Sequence, residues 1–176
     1  MKRSIEENSR LLVVDDNHAI HLDYRKVLGG KEMGSISILA SAAALFGEQP
    51  KPNHSPESSF QLDSAFQGTD ALELVRKSIA QGHPYALAFM DVRMPPGLDG
   101  VETTAKIWEI DPDIQVVICT AYSDYSWEKI SEKLGQSDRL VILKKPFEPI
   151  EVMQLAAGLT KKWKLLREAK GKTAHE

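Results

Sequence analysis

Leu11-Leu12-Val13-Val14-Asp15-Asp16-Asn17 is the stretch on which the reading of this chain turns. Four consecutive apolar residues suit a parallel strand covered on both faces, and a polar turn with two adjacent carboxylates follows at once. The same design recurs at Tyr85–Met90, which runs straight into Asp91. Ile114–Cys119 and Leu140–Leu143 are further continuous apolar runs, whereas Phe60–Ala65 alternates, as an edge strand does. Between the runs the apolar spacing becomes helical: Ile20, Tyr24, Val27 and Leu28; Leu72, Val75 and Ile79; Val101, Ala105 and Trp108; Trp127, Ile130 and Leu134. A last helix is expected from Pro149 towards Lys170. Strand and helix thus alternate five times, which predicts an α/β fold with a doubly wound parallel sheet and right-handed crossovers. Strand order is not readable from periodicity.

The rest of the composition is that of an ordinary soluble domain. The 176 residues are 42% hydrophobic and 27% charged, enough for a sizeable core. A net charge of −3 offers no argument for nucleic acid or an anionic membrane. The single cysteine, Cys119, excludes a disulfide framework and fits a reducing compartment. Met1–Arg10 is polar, and the apolar run after it is too short for a signal peptide or a membrane span, so a cytoplasmic location is expected. Residues 1–9 read as an N-terminal extension, 10–159 as the domain and 160–176 as an extended C-terminal helix and tail. Within the domain, 29–59 reads as an insertion between the first helix and the second strand. Its apolar patch around Ala42–Phe46 suits a short extra helix and Gly47–Ser59 a surface loop. A linker without function explains that segment equally well.

The charged residues sit where an open parallel sheet binds ligands, outside the carboxyl ends of its strands. If the first and third strands are neighbours, Asp15, Asp16 and Asp91 converge. Such a cluster repels itself, and a hard divalent cation is the usual resolution. Magnesium suits it, because a few carboxylates leave octahedral positions for water and a phosphoryl oxygen. The fourth run ends at Thr120, whose hydroxyl can donate to a phosphoryl oxygen, and the fifth at Lys144-Lys145-Pro146, where an ammonium can neutralise charge. Aspartate, metal, hydroxyl and lysine make a phosphoryl-transfer set. Each element has a duller explanation: turn aspartates, a solvated lysine, a threonine present for its β-propensity. Matching chemistry at four strand ends of five weakens that alternative.

These stretches together resemble the receiver domain of two-component response regulators: Leu11–Asn17, Met90-Asp91-Val92-Arg93-Met94-Pro95 with Asp99-Gly100, Cys119-Thr120-Ala121, and Lys144-Lys145-Pro146-Phe147. The resemblance implies a flavodoxin-like fold with strand order 2-1-3-4-5. It implies that Asp91 accepts a phosphoryl group from a histidine kinase or phosphotransfer protein. Asp16 would ligate Mg2+ directly, Asp15 through water, and Asp91 and the backbone carbonyl of Arg93 would complete the protein ligands. Thr120 and Lys145 would contact the phosphoryl group. The family's switch position, often aromatic, aligns with Ile142, so the resemblance does not carry over the usual coupling of an aromatic rotamer to Thr120. Tyr122 is the candidate substitute, a surface loop aromatic being the alternative. The loop Pro96-Gly97-Leu98-Asp99-Gly100 carries one residue more than the family pattern.

Other function classes fit less well. A phosphatase with an aspartyl-phosphate intermediate needs a general acid two residues beyond the nucleophile, and Arg93 cannot be one. Gly-rich nucleotide loops are absent. Cys119 lies within an apolar strand, and His18 and His21 are expected to face solvent from the first helix. A degenerate receiver that only binds proteins is opposed by the intact set of five site residues. The C-terminal helix carries Val152, Leu155, Leu159, Leu166 and Ala169 at heptad-like intervals, broken by Lys162. It reads either as the solvated tail of a stand-alone receiver or, by preference, as a dimer-forming connection, the chain then being the N-terminal regulatory part of a larger signalling protein.

Overall fold

The computed structural model describes residues 8–29, 60–121 and 126–173. The helix and loop expected within the 29–59 insertion, and Tyr122, fall outside them apart from Gly29. The elements in chain order are β1 (Arg10–Val14), α1 (His18–Leu28), β2 (Gln61–Ala65), α2 (Gly68–Ala80), β3 (Leu87–Asp91), α3 (Gly100–Ile110), β4 (Gln115–Thr120), α4 (Trp127–Leu134), β5 (Leu140–Lys144) and α5 (Pro149–Thr173). The five strands pair in the order β2-β1-β3-β4-β5, all parallel. This is the order expected of a flavodoxin-like sheet.

Period-two alternation divides the strand side chains between two cores. Leu12, Val14, Ala88, Met90, Val116 and Ile118 pack with α2, α3 and α4 through Val75, Ile107 and Ile130. Leu11, Val13, Leu87, Phe89, Val117 and Cys119 pack with α1 and α5 through Tyr24, Leu28, Val152 and Ala156. The three central strands are therefore buried along their apolar runs on both faces, and their sequences are continuous for that reason. β5 is an edge strand despite its continuous Leu140–Leu143 run, and Val141 and Ile142 stay half-buried there.

Four helical positions depart from the expected stripes. Ile79 is exposed, and Ser78 is buried in its place, its hydroxyl donating to the Val75 carbonyl at 2.8 Å. Trp127 is also exposed, because α4 presents only Ile130 fully to the core. His21 is buried rather than solvent-facing. On α5 the buried residue beyond Ala156 is Trp163, which does not belong to the heptad-like series. The helix past residue 159 lies against the domain: Lys162 pairs with Asp138 at 3.3 Å, Arg167 with Asp113 at 3.0 Å, and Lys170 also reaches Asp113. No helix among the described residues is long and apolar enough to cross a membrane.

Candidate functional site

β1 and β3 are hydrogen-bonded neighbours with Val14 opposite Met90. The next residues, Asp15 and Asp91, therefore leave the sheet side by side. One carboxylate oxygen each from Asp15, Asp16 and Asp91 lies within 4.8 Å of the others. Asp16 is exposed, whereas Asp15 is buried. Lys145, the first residue after β5, reaches across the end of β4 to this cluster. Its Nζ donates to Asp91 Oδ1 at 2.9 Å and to Asp15 Oδ2 at 3.2 Å. The Lys145 backbone N–H donates to the Thr120 carbonyl at 2.9 Å, which fixes where that side chain starts.

Local sequence shapes each corner. Asn17 is the N-cap of α1, its Oδ1 accepting from the Ala19 N–H at 3.0 Å. Asp15 Oδ1 accepts from the Asn17 N–H at 2.9 Å, an Asx turn that keeps the aspartate side chain over the strand end. At the β3 corner, Asp99 and Glu102 form a capping box that starts α3. Gly100 lies directly on the backbone of the phosphoacceptor candidate, and a Cβ there would come 2.0 Å from the Asp91 carbonyl oxygen. Only glycine permits that approach.

The three clustered carboxylates meet the Lys145 ammonium, which is bonded to two of them. Burial raises the Asp91 carboxyl above its ordinary range; the Lys145 bond opposes this, while Asp15 and Asp16 add to it. For Lys145, burial favours the neutral amine, but the bonds and charges of Asp91 and Asp15 outweigh it and hold the ammonium above its usual range. An excess of hard, closely spaced oxygen donors is the chemistry that a small divalent cation satisfies, so the cluster fits a metal.

The remaining predicted residues fall around this cluster at different distances. Thr120 ends β4, one residue beyond Cys119, which is in register with Asp91. Its hydroxyl donates to the Ala121 carbonyl at 3.0 Å, so the structure brings Thr120 to the site's edge without engaging the carboxylates through that hydrogen. Arg93 is exposed just past β3. Ile142 sits on β5 opposite Ile118, packed against the core on the α4 side. Cys119 is buried, and burial pushes its thiol up to about 12, so it is no nucleophile at neutral pH. His21, expected to face solvent, is buried instead: with Tyr24 and Leu28, three and seven residues on, it forms the buried stripe of α1, a spacing that Ile20 satisfies equally well.

Comparison with known proteins decides the family. A model of the response regulator receiver domain matches residues 54–157, more than half of the chain. The chain belongs to the receiver domain family. Sporulation initiation phosphotransferase F of Bacillus subtilis is 26% identical over 145 residues, covering 82% of this chain and 88% of the relative. Chemotaxis protein CheY of Thermotoga maritima is 29% identical over 72 residues, 41% of this chain and 57% of that protein. The chain spans only 27% of the oxygen regulatory protein NreC of Staphylococcus carnosus, to which it is 36% identical over 63 residues. Among solved structures, an adenylate cyclase from Rhodopirellula baltica superposes with a TM-score of 0.68 at 19% identity, over 96% of this chain and 99% of that one. The receiver domain of an HD domain-containing protein from Pseudomonas fluorescens gives 0.64 at 17% identity, over 95% of this chain and 97% of that one. At these identities the two structures share the fold. Receiver domains are signalling switches that interact with histidine kinases or phosphotransfer proteins.

Proposed function

We propose that this receiver domain takes a phosphoryl group on Asp91 and holds Mg2+ through Asp15, Asp16, Asp91 and the Arg93 backbone carbonyl. The observation that carries this reading is the meeting of three carboxylates from two separate strand ends with Lys145 bonded to two of them. The metal, when bound, would neutralise the carboxylates and the incoming phosphoryl oxygens. A carboxylate oxygen of Asp91 attacks phosphorus, the P–N bond of a phosphohistidine breaks, and the imidazole leaves with the electron pair. Lys145 then exchanges its bond to Asp91 for one to the phosphoryl group. Thr120 contributes once its hydroxyl turns from the Ala121 carbonyl towards the same oxygens.

The donor is a histidine kinase or phosphotransfer protein, and the output is a changed contact with a partner or a second copy of the chain. Thr120, Ile142 and Tyr122 form the switch, with Ile142 in place of the family aromatic. The chain acts as the regulatory part of a cytoplasmic signalling system, with residues 10–159 as receiver and 160–176 as extension, and binds no nucleic acid directly. Incubation with acetyl phosphate and Mg2+ tests the central claim. Wild type gains one phosphoryl group by intact mass, and Asp91→Asn gains none; equal labelling of the two would end the proposal.

A further inference from the structure

His21 has no part in the chemistry above, yet it is only 4% exposed and both ring nitrogens are engaged. Nε2 lies 2.7 Å from the backbone carbonyl oxygen of Asp15, and Nδ1 lies 3.0 Å from Ser64 Oγ on β2. A carbonyl can only accept, so Nε2 carries the hydrogen, and a neutral ring then accepts at Nδ1 from the Ser64 hydroxyl. Ser64 Oγ in turn accepts from Arg25 at 3.4 Å. Every donor in this chain therefore points towards the Asp15 carbonyl. The Phe66 ring, just beyond β2, packs on the imidazole with centroids 4.5 Å apart and restricts it from another side.

The location gives the contact its meaning. Asn17 caps α1, so His21 occupies the fourth helical position and reaches back to the residue two before the cap. Helices often fix their entry at this point with an apolar contact between the fourth position and the residue before the cap. Here a directional hydrogen bond does the work, and it grips the backbone of the residue that starts the acidic pair. With the Asp15 N–H donating to the Ala65 carbonyl at 3.1 Å, the Asp15 peptide groups are held on both sides. Asp16 is the next residue, and the placement of its exposed side chain follows from this turn.

We infer that His21 is a positioning residue, orienting the Asp15-Asp16 turn for cation binding through its bond to the Asp15 carbonyl. The inference rests on the metal reading proposed above. Outer partners that orient metal ligands typically affect affinity by about 10–100-fold.

The test is a titration of the full chain with Mn2+, following loss of the free-ion electron paramagnetic resonance signal. Thermal midpoints are recorded for each variant alongside. His21→Leu removes the donor and is expected to weaken Mn2+ binding by about 10-fold. His21→Gln keeps an N–H of similar reach and is expected to stay within about threefold of wild type. Ser78→Ala removes a buried hydroxyl bond within α2 that does not involve the turn or His21, lowering stability with no change in affinity. If His21→Leu does not fold, His21→Asn decides, since its shorter amide reaches Ser64 and not the Asp15 carbonyl. Mn2+ binding by the deciding variant at wild-type strength would overturn the inference and leave the metal reading standing. A wild type that binds no Mn2+ would remove both.

Discussion

The two ends of the sheet solve the same electrostatic problem in opposite ways. At the carboxyl ends of the strands, Lys145 bonds both Asp15 and Asp91, with the Asp16 carboxylate beside them. At the opposite ends two acids, Asp113 and Asp63, each have basic or hydroxyl partners of their own. Asp113 is paired with Arg167 and Lys170 from α5, and Asp63 with Arg10 and the Tyr85 hydroxyl at 2.9 and 2.6 Å. Burial acts to raise the carboxyls of Asp91, Asp113 and Asp63 alike, and the outcome depends on what opposes it. Lys170 and Arg167 bring Asp113 below its ordinary range, and Tyr85 and Arg10 do the same for Asp63. Lys145 fails to do so for Asp91 against two neighbouring carboxylates. A groove at that opposite end is lined by Arg10, Asp63, His83 and Trp163 among others, and within it Arg10 and Asp63 are bonded to each other.

The contrast is open to direct attack. The largest effect is expected from Gly100→Ala, which drives a methyl group into the Asp91 carbonyl. A loss of about 3 kcal/mol in urea denaturation is expected, together with loss of phosphoryl labelling. Next comes the cation itself. Mg2+ at a hundredfold its dissociation constant should stabilise wild type by about 2.7 kcal/mol, read as a midpoint shift that EDTA reverses. Asp91→Asn should show much less of that shift, and an equal response would remove the metal from this cluster.

Without metal, Asp91→Asn should itself be more stable than wild type by about 1 kcal/mol, roughly 2–4 °C in midpoint. Because the folded carboxyl titrates above its ordinary 3.8, its ionised form penalises the fold at neutral pH. That penalty disappears as pH falls below the unfolded value, so the advantage of the asparagine should close in acid.

The smallest effect concerns the opposite end. Asp113→Asn should lose about 0.5–1 kcal/mol, because its two cations are largely solvated. With a folded value below 3.8, the Asp113 contribution is present above the unfolded value and lost as pH falls through the folded one. The two asparagine variants should therefore differ from wild type in opposite directions at pH 7 and converge on it in acid. Mn2+ affinity should be unchanged in Asp113→Asn, and a drop there would collapse the distinction between the two ends.

Much of this was legible beforehand because it is written locally. Continuous apolar runs mark the three central strands since both their faces are covered, and a carboxylate or lysine just past such a run lands at the sheet's end whatever the rest of the chain does. β5 shows the limit: its run is as apolar as that of β1, but only the strand order left it at an edge. Ile79 and Ser78 show another, since one step around a helix exchanges core for solvent and the local pattern allowed either.

The sequence by itself determined the alternation of strand and helix, the four motif-bearing strand ends and the identity of the acidic set, because each depends on neighbours within a few residues. Only the tertiary structure decided that Lys145 spans β4 to bond two of those acids, that His21 turns inward to grip the Asp15 backbone, and that α5 ends clamped on Asp113. Those contacts join residues 130, 6 and 54 or more positions apart. The distant ones depend on strand order, which periodicity does not encode. The near one depends on which face of α1 the sheet claims.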